Sequence, residues 1–214
     1  SKGSVKNLLN PLLTNEKVGG VTGRPFAINK KDSFMGYVGN LLSDSAHHKR
    51  THTMKKFKSY YVSDKTFFPM SGYILAMRNV IKEIPTDVLS DDAYMSYAIR
   101  NLGYEIAYTP NAKVAVKYPT NVNDYLKQKV RSLGGYIQLE KYDIFKKDKQ
   151  SRSFWIELPY AFFVFKYAKN FREFIWSLML FPLRLYTWIQ IFIERRLLKK
   201  GMPKTGWARI ESTK

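Results

Sequence analysis

The sequence contains no cysteine, which excludes a disulfide framework, a zinc-thiolate centre and a thiol nucleophile. Histidine is scarce, with three residues in 214. His48 and His52 lie one helical turn apart beside His47, but no carboxylate completes a ligand set and the neighbours are basic. A solvated surface loop is expected there rather than a metal site. Acidic residues are also few, 17 against 36 Lys and Arg, for a net charge of +19. Such an excess calls for a polyanionic partner: nucleic acid, an anionic bilayer face or phosphorylated substrates. No internal repeat or low-complexity tract is visible. Ser1 opens without Met, a charged n-region or an apolar h-region. No signal peptide is expected, and targeting information is expected upstream or in the apolar C-terminal segments.

What is present points to a folded chain. Hydrophobic residues make up 45% and aromatics 15%, above the range of chains too polar to bury a core. The length suits one core with an appended element. From Lys141 onward the sequence has 16 Lys and Arg against 6 Asp and Glu, interleaved with its most apolar stretches. Basic and apolar residues together favour a membrane surface over nucleic acid.

Val18 to Arg24 is β-branched and dotted with glycine, which reads as a core strand whose glycines admit close backbone approach. Phe34 to Leu42 has helical spacing and runs into a polar cluster, Asp44 to His52, expected as a surface turn or helix end. Met54 to Lys58 is basic and expected to be solvated. Phe67 to Met77 alternates as a strand interrupted at Ser71-Gly72, and Arg78 closes it. Met95, Ala98, Ile99 and Leu102 mark a helix with Ser90 or Asp91 as N-cap and Gly103 as its stop, so Asp92 falls at a loop-to-helix junction. Tyr104 to Tyr108 and Lys113 to Lys117 read as two short strands separated by Pro110-Asn111. Asn123 is placed to cap a helix that runs to about Leu133 and breaks at Gly134-Gly135, with Asp124, Gln128 and Arg131 on one face. Phe174 to Ile193 has bilayer-crossing length, with Arg184 its formal charge and Pro182 near its middle. An Arg in that position is costly in hydrocarbon, so an interfacial helix or hairpin competes with a true span. The aromatic stretch from Trp155 to Tyr167 reads as a membrane-interface or core face.

Four elements, in this order, resemble the membrane-bound branch of family 2 glycosyltransferases, which includes cellulose and hyaluronan synthases. Val18 to Pro25 is similar to the strand that follows the donor site, and Phe68-Pro69-Met70-Ser71-Gly72-Tyr73 through Arg78 to the acceptor-side strand with its closing Arg. Ser90-Asp91-Asp92 resembles the acidic motif that ends in the catalytic Asp, and Gln128-Lys129-Val130-Arg131-Ser132 resembles Gln-x-x-Arg-Trp. The resemblance spans roughly Val18 to Gln138. It implies an α/β fold: the acceptor-side, C-terminal part of a GT-A type mixed-sheet domain over residues 1–146, then interfacial or transmembrane helices over 147–214. It also places the His run near the donor cleft. Two departures stand out. No Asp-x-Asp motif, the family's site for Mg²⁺ or Mn²⁺ and the nucleotide diphosphate, precedes Val18, so the chain resembles an incomplete catalytic domain beginning after that motif. Ser132 stands where many processive members carry Trp, which argues against a long polysaccharide product.

Inverting transfer needs one carboxylate within hydrogen-bond reach of the acceptor hydroxyl. The resemblance assigns that role to Asp92, with Asp91 turned away or supporting it; read alone, the pair caps the helix dipole. Arg131 is expected to stabilise the departing diphosphate bidentately, with Gln128 beside it and Ser71 and Gly72 lining the acceptor path. An exposed helix face and a tight turn are the bland readings of those residues. The activity implied is hexosyl transfer from a nucleotide sugar to a lipid-linked or glycan acceptor at the cytoplasmic face of the cell membrane. The competing expectations are a basic module that binds nucleic acid, disfavoured because its charge is spread rather than gathered in a stripe, and a membrane-anchored structural module.

Overall fold

Residues 3–63, 67–146, 161–193 and 211–213 are described by the structure, a computed structural model. Helix α1 (Ser4–Thr14) leads into β1 (Val18–Ala27), and α2 (Phe34–Thr53) is followed by the hairpin of β2 (Lys55–Phe57) and β3 (Tyr60–Val62). Then come β4 (Leu75–Met77), α3 (Asp91–Asn101), β5 (Glu105–Val116) and α4 (Val122–Gln138), which passes into a 3₁₀ turn, Leu139–Tyr142. Two further helices, α5 (Ala161–Tyr167) and α6 (Phe171–Phe192), and a 3₁₀ turn at Glu211–Thr213 complete the described residues. The strands form one sheet in the order β2-β3-β5-β1-β4. The β1–β5 pair at its centre is parallel, while β4, β3 and β2 join antiparallel, so the sheet is mixed and the fold is α/β, as expected.

The two short strands expected around Pro110-Asn111 are one strand. Along β1 the register steps from Thr22 to Arg24 while β5 advances from Tyr108 to Lys113. The surplus residues form a bulge, where a proline's missing N–H interrupts no regular ladder. Gly23 makes room for it, since a Cβ there would lie 2.2 Å from the Ala112 carbonyl oxygen. Helix α1 covers the bulge: Ser4 Oγ donates to the Lys113 carbonyl (3.1 Å) and Asn7 Nδ2 to that of Asn111 (3.3 Å).

Three other expectations are corrected. The polar cluster Asp44 to His52 is neither turn nor loop; α2 continues through it to Thr53 because its polar side chains find partners on neighbouring elements. Ser43 Oγ donates to the Pro25 carbonyl (2.9 Å), Asp44 pairs with Arg24 (3.1 Å) and His47 Nδ1 meets the Tyr108 hydroxyl (2.7 Å). In the stretch from Phe67 only Leu75–Met77 is strand, and Lys55–Phe57, though exposed as expected, is an edge strand. Helix α4 is capped by Asn121, not Asn123, its side chain accepting from Asp124 N (2.9 Å), and it runs past Gly134-Gly135 to Gln138.

Three apolar clusters hold these layers together. Met70, Tyr97, Ile99, Ile106 and Leu139 pack α3 and the end of α4 on the sheet. Leu8, Val18, Val21, Tyr60 and Ala107 lie beneath α1. Met35, Tyr37, Val38, Leu41, Tyr125 and Leu180 join α2 and α4 to α6, with Phe163 and Tyr167 of α5 against them. Each large side chain fully withdrawn from water adds about 1.5–3 kcal/mol. Phe163, Val164 and Tyr167 of the aromatic stretch are thus partly buried against this cluster; Trp155 lies outside the described residues, as do Glu194, Arg195 and Arg196.

Helix α6 is long and apolar enough to cross a membrane, with 22% of its most apolar window buried. Its polarity is reversed relative to a soluble surface helix. Glu173, Ser177 and Thr187 are among its buried residues, while Leu178, Met179, Leu185 and Ile189 are exposed. These three find partners: Ser177 Oγ lies 2.8 Å from the Tyr37 hydroxyl, Glu173 accepts from Lys169 N (2.8 Å) and Thr187 Oγ1 donates to the Leu183 carbonyl (2.9 Å), whereas Gln190 Oε1 is buried without a partner among the described residues.

Candidate active site

The loop-to-helix junction at the start of α3 is built as the sequence leads one to expect, and then linked to a second segment. Asp91 is exposed, and its Oδ1 accepts from Asp92 N (2.9 Å). Asp92 is half-buried, with Oδ1 accepting from Ala93 N (2.8 Å) and Ser90 Oγ (3.0 Å). Both carboxylates thus serve the helix N-terminus, which favours negative charge. Asp92 does more, because its Oδ2 accepts from the backbone N–H of Gly72 (2.9 Å), twenty residues away.

The segment carrying Gly72 is held along its whole length. Met70 N donates to Ser96 Oγ (2.9 Å), and that hydroxyl donates in turn to the Asp92 carbonyl (2.6 Å). Ser71 N donates to Thr22 Oγ1 (3.0 Å), which donates to the Ile74 carbonyl (3.1 Å). Ile74 N closes the turn on the Ser71 carbonyl (3.2 Å). Thr22 and Ser96, both fully buried, were not picked out from the sequence. A lone hydroxyl inside an apolar strand or helix face is their signal, because such a group must find a partner. Gly72 is not sterically obligatory: a Cβ would meet Asp92 Oδ2 at 3.4 Å, an ordinary contact that partly covers the carboxylate. Arg78 acts at a distance, clamping β1 and α1 by donating to the carbonyls of Val18 (2.8 Å) and Leu12 (2.6 Å).

Helix α4 is docked on the loop before the acidic pair. Gln138 accepts from Leu89 N (2.8 Å) and donates to the Asp87 carbonyl (2.8 Å). The Tyr142 hydroxyl and Lys141 hold the Asp87 carboxylate. Gly135 explains why the double glycine does not end the helix. A Cβ there would stand 3.0 Å from that of Ser90, so α4 approaches the Ser90 backbone more closely than a larger residue allows.

This docking brings Gln128 and Arg131 to the Asp92 side. Tyr73, next to Gly72, is where they meet: Gln128, Arg131 and Asp92 all act on its hydroxyl. Although 48% of the residue is exposed, withdrawal of the hydroxyl from water raises its pKa; Arg131 and Gln128 oppose the rise and Asp92 adds to it. Asp124, expected on the same face, is instead turned to the cap, accepting from Asn121 Nδ2 (3.2 Å) and Ser212 N (3.0 Å). Tyr73 thus links the bonded pair of Gly72 and Asp92 to Gln128 and Arg131, with Ser71 in the same turn and Asp91 exposed at the start of α3.

A second polar cluster lies along α2. Asp44 accepts from Arg24 and from the Tyr167 hydroxyl (2.7 Å), which also receives Lys31 Nζ (2.6 Å). Burial, together with the charges of Arg24 and Arg50, lowers the pKa of His47 to about 4, so at neutral pH it is uncharged. The His48 and His52 rings stack 3.8 Å apart on the helix surface, and Phe163 covers His48 at 4.7 Å. Among the described residues no three His, Asp or Glu side chains converge as metal ligands. Among the described residues, therefore, no divalent-cation site is formed.

No curated protein matches the sequence. The model of glycosyl transferase family group 2 matches residues 9–207, from within α1 to beyond α6. The chain belongs to glycosyl transferase family group 2, and its chemistry is the transfer of a glycosyl group.

Proposed function

We propose that the protein carries out inverting transfer of a hexosyl group from a nucleotide sugar to a hydroxyl of a lipid-linked or glycan acceptor, with Asp92 as general base. The observation that carries this reading is the setting of Asp92. Among the described residues its carboxylate is held by neutral donors, the N–H groups of Gly72 and Ala93 and the Ser90 hydroxyl, with Gln128 and Arg131 near the adjoining Tyr73. These donors orient the carboxylate without pairing it to a cation.

The acceptor O–H gives its proton to Asp92 as its oxygen bonds to the anomeric carbon. The bond from that carbon to the donor phosphate breaks, and its electron pair leaves with the nucleoside diphosphate. Arg131 is suited to balance the charge developing there, and Gln128 to orient either partner. Mg²⁺ or Mn²⁺ would balance charge on the donor diphosphate, held by ligands other than Asp91 and Asp92. Membrane attachment, with the catalytic face toward the cytoplasm, is supported by the apolar exposed side of α6 and by the basic excess from Lys141 onward. The membrane-bound branch that includes cellulose and hyaluronan synthases is the one proposed.

The test is Asp92→Asn in the full-length protein, assayed for release of nucleoside diphosphate from a panel of nucleotide sugars. Loss of turnover with normal expression and melting supports the base. Unchanged turnover removes it.

A further inference from the structure

The turn that fixes Asp92 also presents an aromatic ring beside it. Tyr73 follows Gly72, whose N–H is bonded to Asp92, so its Cα is held one residue, about 3.8 Å, from that anchored position. Tyrosine ordinarily buries its ring and keeps its hydroxyl in water. Tyr73 is 48% exposed, and its hydroxyl is within the influence of Gln128, Arg131 and Asp92. Behind it the ring of Tyr118 lies 6.4 Å away at 53°. Tyr118 is itself locked, its backbone N–H and carbonyl both bonded to the Asn29 side chain (2.8 and 3.0 Å) and its Cβ seated where a side chain at Gly39 would clash. Tyr73 is therefore a backed, pre-positioned surface next to a carboxylate.

We propose that Tyr73 contacts the acceptor and helps to determine its specificity, its open ring forming the wall on which a sugar ring of the acceptor lies with one hydroxyl turned toward Asp92. The inference rests on Asp92 being the base. A pyranose offers the two surfaces this arrangement needs, an apolar C–H face for the aromatic ring and a hydroxyl edge for the carboxylate. A lipid phosphate acting as nucleophile fits poorly. Its oxygen is already deprotonated near neutral pH, leaving the base nothing to remove, and its charge is repelled by Asp92. The acceptor group at this position is accordingly a neutral sugar, with any phosphate of a glycolipid farther from Asp92.

Saturation-transfer NMR on the full-length protein in detergent tests this with methyl β-D-glucoside, methyl β-D-galactoside, methyl N-acetyl-β-D-glucosaminide and, as the contrary probe, farnesyl phosphate. At least one glycoside is expected to receive saturation on its ring C–H protons from the wild type, Tyr73→Phe and Asp92→Asn. In Tyr73→Ala its binding is expected to weaken about tenfold, the loss of one aromatic contact. A glycoside signal undiminished in Tyr73→Ala, no signal from any glycoside, or binding of farnesyl phosphate in place of all three overturns the proposal. Binding is read without turnover, so a silent Tyr73 leaves the Asp92 assignment standing, and full turnover by Asp92→Asn sinks that assignment whatever Tyr73 does.

Discussion

Two half-buried aspartates, one on α2 and one at the start of α3, are held in opposite ways. Asp44, on α2, is paired with the Arg24 guanidinium and bonded by Tyr167, so its charge is matched on the spot and ties α2 to β1 and α5. Asp92, at the start of α3, is bonded by Gly72, Ala93 and Ser90, none of them charged. A carboxylate bridged to a cation holds a fold together; one oriented by neutral donors keeps a full charge to offer a ligand. The difference separates a carboxylate tied into an ion pair between elements from one held by uncharged donors, which exposure does not do, since neither is fully buried.

The largest effect that bears on this contrast is loss of catalysis at one aspartate and not the other. Asp92→Asn is expected to lower transfer by about 10²–10⁴-fold, the range for removing a general base, with little change in the thermal midpoint. Asp44→Asn is expected to do the converse. It leaves Arg24 without its anion and costs about 2 kcal/mol in denaturant unfolding, discounted for partial exposure, while transfer per folded molecule is retained. Equal damage to turnover from both variants breaks the distinction.

The Asp92 side depends on α4 lying tight against Ser90. Gly135→Val is expected to push helix and loop apart, costing between about 1 and 2 kcal/mol and reducing transfer, with circular dichroism still showing the helix. Full activity in that variant means the docking is incidental. The smallest expected effect belongs to the Asp44 side. His47 has a folded pKa of about 4 against an ordinary value of 6.5. Between those values the unfolded chain takes up a proton that the folded protein refuses, so stability falls as pH drops from about 6.5 toward about 4 and is unaffected by this group above that window. His47→Gln should flatten the fall by about 1 kcal/mol after allowance for partial exposure, read as unfolding free energy against pH. An unaltered pH profile places the titration elsewhere.

Much of this was legible in the residues. The β-branched, glycine-dotted Val18 to Arg24 is strand, Gly103 stops α3 with φ 95°, and the long apolar segment is helix. The misreadings share a cause: local signals were taken at face value where a distant partner overrides them. Pro110 reads as a break, but α1 and Gly23 accommodate it as a bulge. Asp44 to His52 reads as solvated, but Arg24, Tyr108 and Pro25 supply partners that keep it helical. Gly134-Gly135 reads as a helix end, but Ser90 requires the space. In the cleft, Asp92, Gln128 and Arg131 were legible by type and order, whereas Thr22 and Ser96 were not, because one hydroxyl in an apolar run names no partner.

Taken alone, the sequence determined the chemistry available: no thiol, a strong positive charge, an acidic pair before a helix, a Gln and an Arg one turn apart, and an apolar segment of membrane length. Those follow from residue types and short-range periodicity, which are properties of the chain itself. The tertiary structure decided which carboxylate is neutralised and which is left charged, that α4 faces the acidic loop, and that Tyr73 opens beside Asp92. Each depends on contacts between residues twenty or more apart in sequence, and such pairings exist only once the sheet and helices have packed.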